Sequence, residues 1–523
     1  MKTLFTRKRA PVQGNKLVSI FLPLILGAAV SLGMAPLGWW PVAMVALAAY
    51  IWLLHMSGET SPRGGFGTGW WFGFGHFIVG LIWLPTAFGY QAKMPAFLGW
   101  VALLLLAGVM AVYLALASWA AKRIAGGKLL PLILALGGSW ALAEWLRATL
   151  FTGFAWNPLA EIALPMGLAG EARFVGTYGL SAMILLIAGS WVAIATKNWK
   201  AAGVALALPL LVGVADLAVG SDAAQPGPRV TLVQPNIGQD NKWAGEEADA
   251  NFAKLAGLST PKDAAPRLLL WTESAVPDFL EDGYPPDYYT LSPTSARARI
   301  ARLLNPDDMV LTGAVKLDFD AQGTLTGARN SIFAMDTQGK LLARYDKAHL
   351  VPFGEYVPLR AVLEPLGIAR LVPGAIDFVP GPGPRTINIG SFGKVGMLIC
   401  YEMIFSGHVV DKANRPDFIF SPSNDAWFGG WGAPQHHAQA RLRAIEEGLP
   451  IARVTPTGIS GIIDADGNRV ASIAQGQAGR IDAVMPPAHA PTLFARYGNA
   501  IPLLLAALLL IAAFALARSR AWR

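Results

Sequence analysis

The chain has 523 residues, of which 54% are hydrophobic and only 15% charged, with a formal net charge of +8. A soluble globular chain carries about 25% charged residues, so the deficit excludes a wholly soluble protein and places much of the chain in a membrane. One cysteine in the whole sequence excludes an intrachain disulfide and any metal site built on two or more thiolates.

Seven apolar stretches precede residue 221, at roughly 17–36, 38–56, 68–90, 95–121, 129–151, 175–196 and 201–220, and an eighth follows at about 497–517. The first is too long and too apolar for a secretory signal and is read as a retained span. Eighteen tryptophans suit the aromatic belts of a bilayer. Basic residues cluster at alternate connections. Lys2, Arg7, Lys8, Arg9 and Lys16 precede the first span, and Arg63 lies in the second connection against Glu59. Lys122, Arg123 and Lys128 lie in the fourth, Lys197 and Lys200 in the sixth, and Arg518, Arg520 and Arg523 in the tail. The other connections hold few, Lys93 and Arg173 among them. This alternation is the positive-inside pattern. It predicts cytoplasmic termini and a 221–496 block on the periplasmic face of a bacterial inner membrane. The positive balance is then a topology signal, and no nucleic-acid partner is expected. The predicted division is a membrane part over 1–220, a soluble block over 221–496, and a final span with a basic tail over 497–523. Within the fifth span, Glu144 and Arg147 are costly charges expected to face the protein interior and to pair with each other.

The block begins after a linker at 222–228. Short apolar runs recur at 230–234, 267–271, 309–315, 331–335, 395–399, 418–420 and 459–463. Several are apolar throughout, so both faces of their sheet are expected to be covered. Helical patterns such as 435–447 lie between some of them, which makes an α/β layered sandwich. Over 357–371, Leu359, Val362, Leu363, Leu366 and Leu371 follow the spacing of one helix face. The segment suits a lid at the bilayer surface, with packing on its own domain as the competing account. His436 and His437 resemble a metal-ligand pair. Neighbours on a helix point about 100° apart, so they are assigned to structure, and no metal is expected.

Four local patterns carry candidate chemistry: Leu270-Trp271-Thr272-Glu273-Ser274, the 344–356 string containing Lys347 and Glu355, Cys400-Tyr401-Glu402, and Ser423-Asn424-Asp425-Ala426-Trp427-Phe428-Gly429. Cys400 ends an apolar run and has a carboxylate two residues on, as a nucleophile site would. A buried structural thiol is the alternative. Glu, Lys and Cys in that order, each at a strand end, resembles the nitrilase superfamily. Val233-Gln234-Pro235-Asn236, the 347–355 string, the 424–429 string and the plan of seven spans, one block and one closing span resemble the apolipoprotein N-acyltransferase family over nearly the full length.

That resemblance implies a polytopic helical membrane domain of about eight spans plus a nitrilase-like α-β-β-α sandwich. It also implies a ping-pong reaction without a cofactor. A phospholipid, typically phosphatidylethanolamine, passes its sn-1 acyl chain to Cys400, and the amine of an S-diacylglyceryl-cysteine lipoprotein then attacks the thioester. Glu273 would be the general base, because a free thiol of pKa about 8.5 is mostly protonated at neutral pH. Lys347 would hold the oxyanion with a backbone amide near Tyr401. Glu355, Tyr401 and Glu402 would support them, the two carboxylates by orienting Lys347 or assisting proton traffic. Trp243 and Asn330 match pocket positions. Trp427, with Phe428 and Trp431, forms an aromatic loop expected at the bilayer face, with core packing as the alternative. The family often carries asparagine before Gly458, where this chain has Thr455-Pro456-Thr457, and proline removes an amide donor. The catalytic set lies within one chain, so a monomer suffices. The alternative function is a membrane-tethered amidase acting on a small amide; a transporter is disfavoured by the scarcity of ionisable residues in the spans.

Overall fold

The computed structural model describes residues 16–57, 64–90, 95–219, 225–239, 247–360 and 377–519. Trp243 and most of the expected lid, 361–376, lie outside them.

Five helices are long and apolar enough to cross a membrane: Phe97–Ala125, Leu129–Thr149, Ala169–Ala195, Trp199–Leu217 and Ala500–Arg518. Shorter apolar helices run over Lys16–Ser31 and Trp40–Met56. The stretch expected as one span at 68–90 is divided into Gly64–Gly80 and Leu84–Gly89, with Pro85 in the first turn of the second piece, where its missing N–H costs nothing. Helices Lys16–Ser31 and Gly64–Gly80 cross through glycine. A Cβ on Gly27 would stand 1.8 Å from the Phe72 carbonyl oxygen, and one on Gly75 would stand 2.0 Å from that of Leu24. Small residues at such a crossing let the backbones approach closely enough for dispersion to act along the whole contact.

Glu144 and Arg147 are buried, but each takes partners other than the expected mutual pair. Glu144 Oε1 accepts from Trp140 Nε1 (3.0 Å) and from the Leu159 amide (2.8 Å). Arg147 Nη1 donates to the carbonyls of Phe154 (2.9 Å) and Trp156 (2.5 Å). Both side chains therefore fasten the 150–159 segment that leaves the helix. That segment carries backbone polar groups with no helical partner, which a buried site must satisfy by other means.

The second half builds two six-stranded sheets. The first has the order β12-β1-β2-β3-β4-β5, made of β1 Arg229–Gln234, β2 Leu268–Leu270, β3 Met309–Phe319, β4 Leu325–Met335, β5 Leu341–Asp346 and β12 Gly479–Val484. The second has the order β11-β10-β9-β8-β7-β6, made of β6 Arg385–Asn388, β7 Lys394–Met397, β8 Phe418–Pro422, β9 Ile451–Val454, β10 Ser460–Ile463 and β11 Arg469–Ile473. In each, three central strands are parallel and the flanking pairs antiparallel.

Side chains alternate across a strand, and the sequence fills both faces. Val230, Leu232, Leu268 and Leu270 share one core with Val395, Met397, Phe418 and Phe420 of the opposite sheet. Their neighbours Val233 and Leu269 pack instead with Leu255 and Ile300 of helices Glu247–Ser259 and Pro293–Ala301. Leu398, Ile419 and Ile451 pack with Ala440 and Ala444 of helix Gly429–Glu447. The layers are thus helix, sheet, sheet, helix, and the inter-sheet core runs on into the membrane helices.

Candidate active site

Three strand ends converge. Glu273 follows β2 on a loop fastened to β3, where the Trp271 amide donates to the Leu311 carbonyl (2.9 Å) and the Ala275 amide to that of Gly313 (2.8 Å). Lys347 directly follows β5; its amide donates to the Asn330 carbonyl (2.9 Å) and its carbonyl accepts from the Gly381 amide (2.8 Å). Cys400 stands three residues beyond β7, at the head of a short 3-10 turn, with φ of 50°. That left-handed conformation is uncommon for a residue with a side chain and belongs to the sharp turn that presents the thiol.

The side chains from the first sheet form one hydrogen-bonded chain. Asn330 Nδ2 donates to Glu273 Oε1 (2.7 Å) and to Glu355 Oε1 (3.2 Å). The Lys347 ammonium, only 1% exposed, donates to Glu355 (2.9 Å). Val351 donates its amide to the other Glu355 oxygen (2.8 Å). Burial pulls the Lys347 pKa down, but the charges of Glu355, Glu273 and Cys400 outweigh it and hold the group above its ordinary value. The lysine is therefore a fixed cation. Cys400 is 5% exposed. Burial pushes its thiol up, and so does Glu273; Lys347 and the Ser423 hydroxyl pull it down without cancelling the rise. A resting thiol of this kind is protonated and needs a base before it can attack.

Glu402 does not touch the Lys347 ammonium. Oε1 accepts from Tyr345 Oη (2.7 Å) and from the amides of Ala348 (2.8 Å) and His349 (3.1 Å). Oε2 accepts from Tyr345 Oη (2.9 Å) and the Ile399 amide (2.7 Å). Burial raises its carboxyl against the pull of these donors. These contacts tie the exit of β7 to the exit of β5. Tyr401 donates its hydroxyl to the Gly153 carbonyl (3.1 Å), and His349 Nε2 lies 2.8 Å from the Thr152 carbonyl. The segment fastened by Glu144 and Arg147 thus reaches Tyr401, next to Cys400, and His349, two residues beyond Lys347.

Trp427 meets Tyr90 edge to face. Phe428 is buried between Trp83, Trp156 and His436, so for this ring core packing replaces the expected bilayer contact. The 455–457 loop closes without an asparagine: Ser460 Oγ accepts from the Thr455 amide (2.9 Å), and the Ser460 amide donates to Gln234 Oε1 (3.1 Å). His436 and His437 are both buried, and His436 has a contact that a metal-ligand reading does not consider: its Nε2 lies 3.1 Å from the Cys400 carbonyl. The 152–153 contacts and His436 have no local signature; only chain reversal brings them to the thiol.

A carboxylate, a fixed cation and a buried thiol that feel one another's charge can form and break an acyl–sulfur bond. Comparison with known proteins agrees. Residues 26–190 match the family model "Apolipoprotein N-acyltransferase N-terminal domain", and residues 229–490 match "Carbon-nitrogen hydrolase". A protein of Rhodopseudomonas palustris called apolipoprotein N-acyltransferase is 34% identical over 513 residues, covering 94% of each chain. One of the same name from Bradyrhizobium diazoefficiens is 35% identical over 509 residues, covering 93% of each. Among solved structures, Saccharomyces cerevisiae Nit3, a member of branch 10 of the nitrilase superfamily, aligns at 20% identity with a TM-score of 0.35, over 55% of this chain and 98% of that one.

Proposed function

Since this chain belongs to the apolipoprotein N-acyltransferase family, we propose that it carries the sn-1 acyl chain of a phospholipid, phosphatidylethanolamine in the first instance, through a thioester on Cys400 to the N-terminal amine of an S-diacylglyceryl-cysteine lipoprotein. Glu273 takes the thiol proton, and the thiolate attacks the ester carbonyl. Lys347 and the Tyr401 amide hold the oxyanion of the tetrahedral intermediate. As the intermediate collapses, Glu273 returns the proton to the departing glycerol oxygen, and the lysophospholipid leaves. The lipoprotein amine then attacks the thioester, Glu273 accepts its proton, and the sulfur departs to be reprotonated. The thioester preserves enough of the acyl group's reactivity for the amine, so the relay needs no nucleotide. Glu355 orients Lys347. Trp243, Asn330 and Trp427 are assigned to the substrate pocket.

The observation that carries this reading is the Glu273–Asn330–Glu355–Lys347 chain of hydrogen bonds set beside the single cysteine. Purified protein incubated with phosphatidylethanolamine labelled in its sn-1 chain, without acceptor, is expected to carry a hydroxylamine-sensitive acyl group on Cys400. Mass analysis that maps the label elsewhere, or finds it in Cys400→Ala, refutes the assignment.

The eight-span plan belongs to the same proposal, with 1–220 and 497–523 in the membrane and 221–496 as the periplasmic catalytic domain. Two sets of contacts support it. Lys122 Nζ donates to the Ser57 carbonyl (2.5 Å), and Lys128 Nζ to the Ser519 carbonyl (2.8 Å), so the second and fourth connections and the tail share a face. Thr152, Gly153 and Arg173 instead meet His349, Tyr401 and Asp466 of the catalytic block.

A further inference from the structure

Behind Cys400 lies a buried polar group that the acyl-transfer scheme does not use. Asp425, His436 and Arg453 are all essentially inaccessible. Arg453 Nη2 donates to Asp425 Oδ1 (2.7 Å) and Oδ2 (2.8 Å) and approaches His436 Nδ1 at 2.9 Å, while Nη1 donates to the Ile459 carbonyl (2.7 Å). Ser423, whose hydroxyl also faces the thiol, donates to Asp425 Oδ1 (2.8 Å). On its far side the His436 ring places Nε2 at 3.1 Å from the Cys400 carbonyl oxygen.

A guanidinium can only donate. A carbonyl oxygen can only accept, so the 3.1 Å contact with Cys400 puts the imidazole proton on Nε2, and in the neutral ring Nδ1, which also has Asp425 Oδ1 at 3.2 Å, is left to accept from Arg453. Burial, and then the charge of Arg453, press the ring toward its neutral form. Arg453 thereby fixes the tautomer, and Asp425 fixes Arg453.

The consequence follows from the planarity of the peptide bond. The Cys400 carbonyl and the Tyr401 N–H belong to one trans unit and point to opposite sides of it. We propose that His436, by holding the Cys400 carbonyl, aims the Tyr401 amide at the oxyanion position and so acts as a positioning residue for acyl transfer. Cys400 sits at positive φ, a conformation that persists in a residue with a side chain only where its surroundings hold it. The proposal rests on the thioester reading above, and it concerns a residue that never touches substrate.

His436→Gln and His436→Asn separate this role from packing. Glutamine extends its amide N–H to about the reach of Nε2, whereas the asparagine amide ends near Nδ1. The lone cysteine lets each preparation be normalised to reactive thiol by alkylation. With phosphatidylethanolamine in mixed micelles, single-turnover acylation of Cys400 is expected to stay within about threefold of wild type in the glutamine variant and to fall by about tenfold or more in the asparagine variant, at unchanged half-saturating lipid. Equal loss in both variants, or no loss in the asparagine variant, overturns the proposal. Should neither variant fold, the wild-type protein decides: nitrogen-15 histidine spectra are expected to show His436 as the neutral Nε2–H tautomer, and an Nδ1–H tautomer overturns the idea. Wild-type protein acylated at a residue other than Cys400 would defeat the thioester reading instead, before any histidine variant is made.

Discussion

The two sheets bring different kinds of charge to the same thiol. From the first come Glu273, Lys347 and Glu355, joined through Asn330 and gathered around one ammonium. From the second, and from the helix between its strands β8 and β9, come Glu402, Asp425, His436 and Arg453, each engaged by backbone groups or by one another. A carboxylate that already accepts three backbone amides, as Glu402 does, cannot take a proton in a reaction without releasing them. Asn330 Nδ2, by contrast, is shared between the side chains of Glu273 and Glu355. Proximity to a nucleophile is therefore a poor guide to role, and the partner each oxygen keeps is a better one.

The variant expected to matter most tests the first sheet. Lys347→Met removes the fixed cation and should slow acylation of Cys400 by about 10²–10³, roughly 3–4 kcal/mol, as loss of one oxyanion donor does. An unchanged single-turnover rate would remove Lys347 from that role. Glu402→Gln tests the second sheet. One oxygen becomes an N–H₂ facing backbone amides, and a buried donor left without an acceptor costs about 1–3 kcal/mol. The loss should appear in unfolding by heat or denaturant, with the acylation rate per folded enzyme changed much less. Glu355→Gln should show the reverse, with acylation slower by about tenfold, roughly 1.4 kcal/mol, and a smaller shift in unfolding, because one backbone amide meets this carboxylate against three at Glu402. If the last two phenotypes were exchanged, the contrast between the sheets would be wrong.

The same contrast explains what could be read from the chain. β1, β2, β7 and β8 announce themselves because both of their faces are covered, so apolar residues run without interruption. The edge strands β6, β11 and β12 do not. Arg385, Arg469, Val470 and Val484 are exposed, and a half-solvated edge has no continuous pattern. Glu273, Lys347 and Cys400 are visible as family words at strand ends. Asn330 is visible only by resemblance, because its bridging role needs β4 beside β3 and β5. His436 is hidden further, since 36 residues separate it from the carbonyl it meets and nothing local distinguishes it from His437. The division of the third span at 81–83 has a local mark in Pro85, which the apolar character of the stretch hides.

The smallest expected effect is a change in the slope of stability against pH, and it is the sharpest test of the second sheet as scaffold. Burial alone would raise the Asp425 carboxyl, but the charge of Arg453 and its paired contacts outweigh it and hold the group well below the usual carboxylate range. A group whose folded pKa is depressed lends stability that is complete above its unfolded value, about 3.9, and is lost as the pH falls through the folded one. On this account Asp425 contributes a constant term between pH 5 and 8, and its contribution declines only below about pH 4. Unfolding of wild type should be compared with Asp425→Asn across that range. The variant should unfold more easily at neutral pH, because Arg453 is left as a buried charge without its partner, and its acid limb should be shallower. A difference between the two that already changed between pH 5 and 8 would mean that Asp425 exchanges protons at working pH, and it would then have to be counted with Glu273 rather than with Glu402.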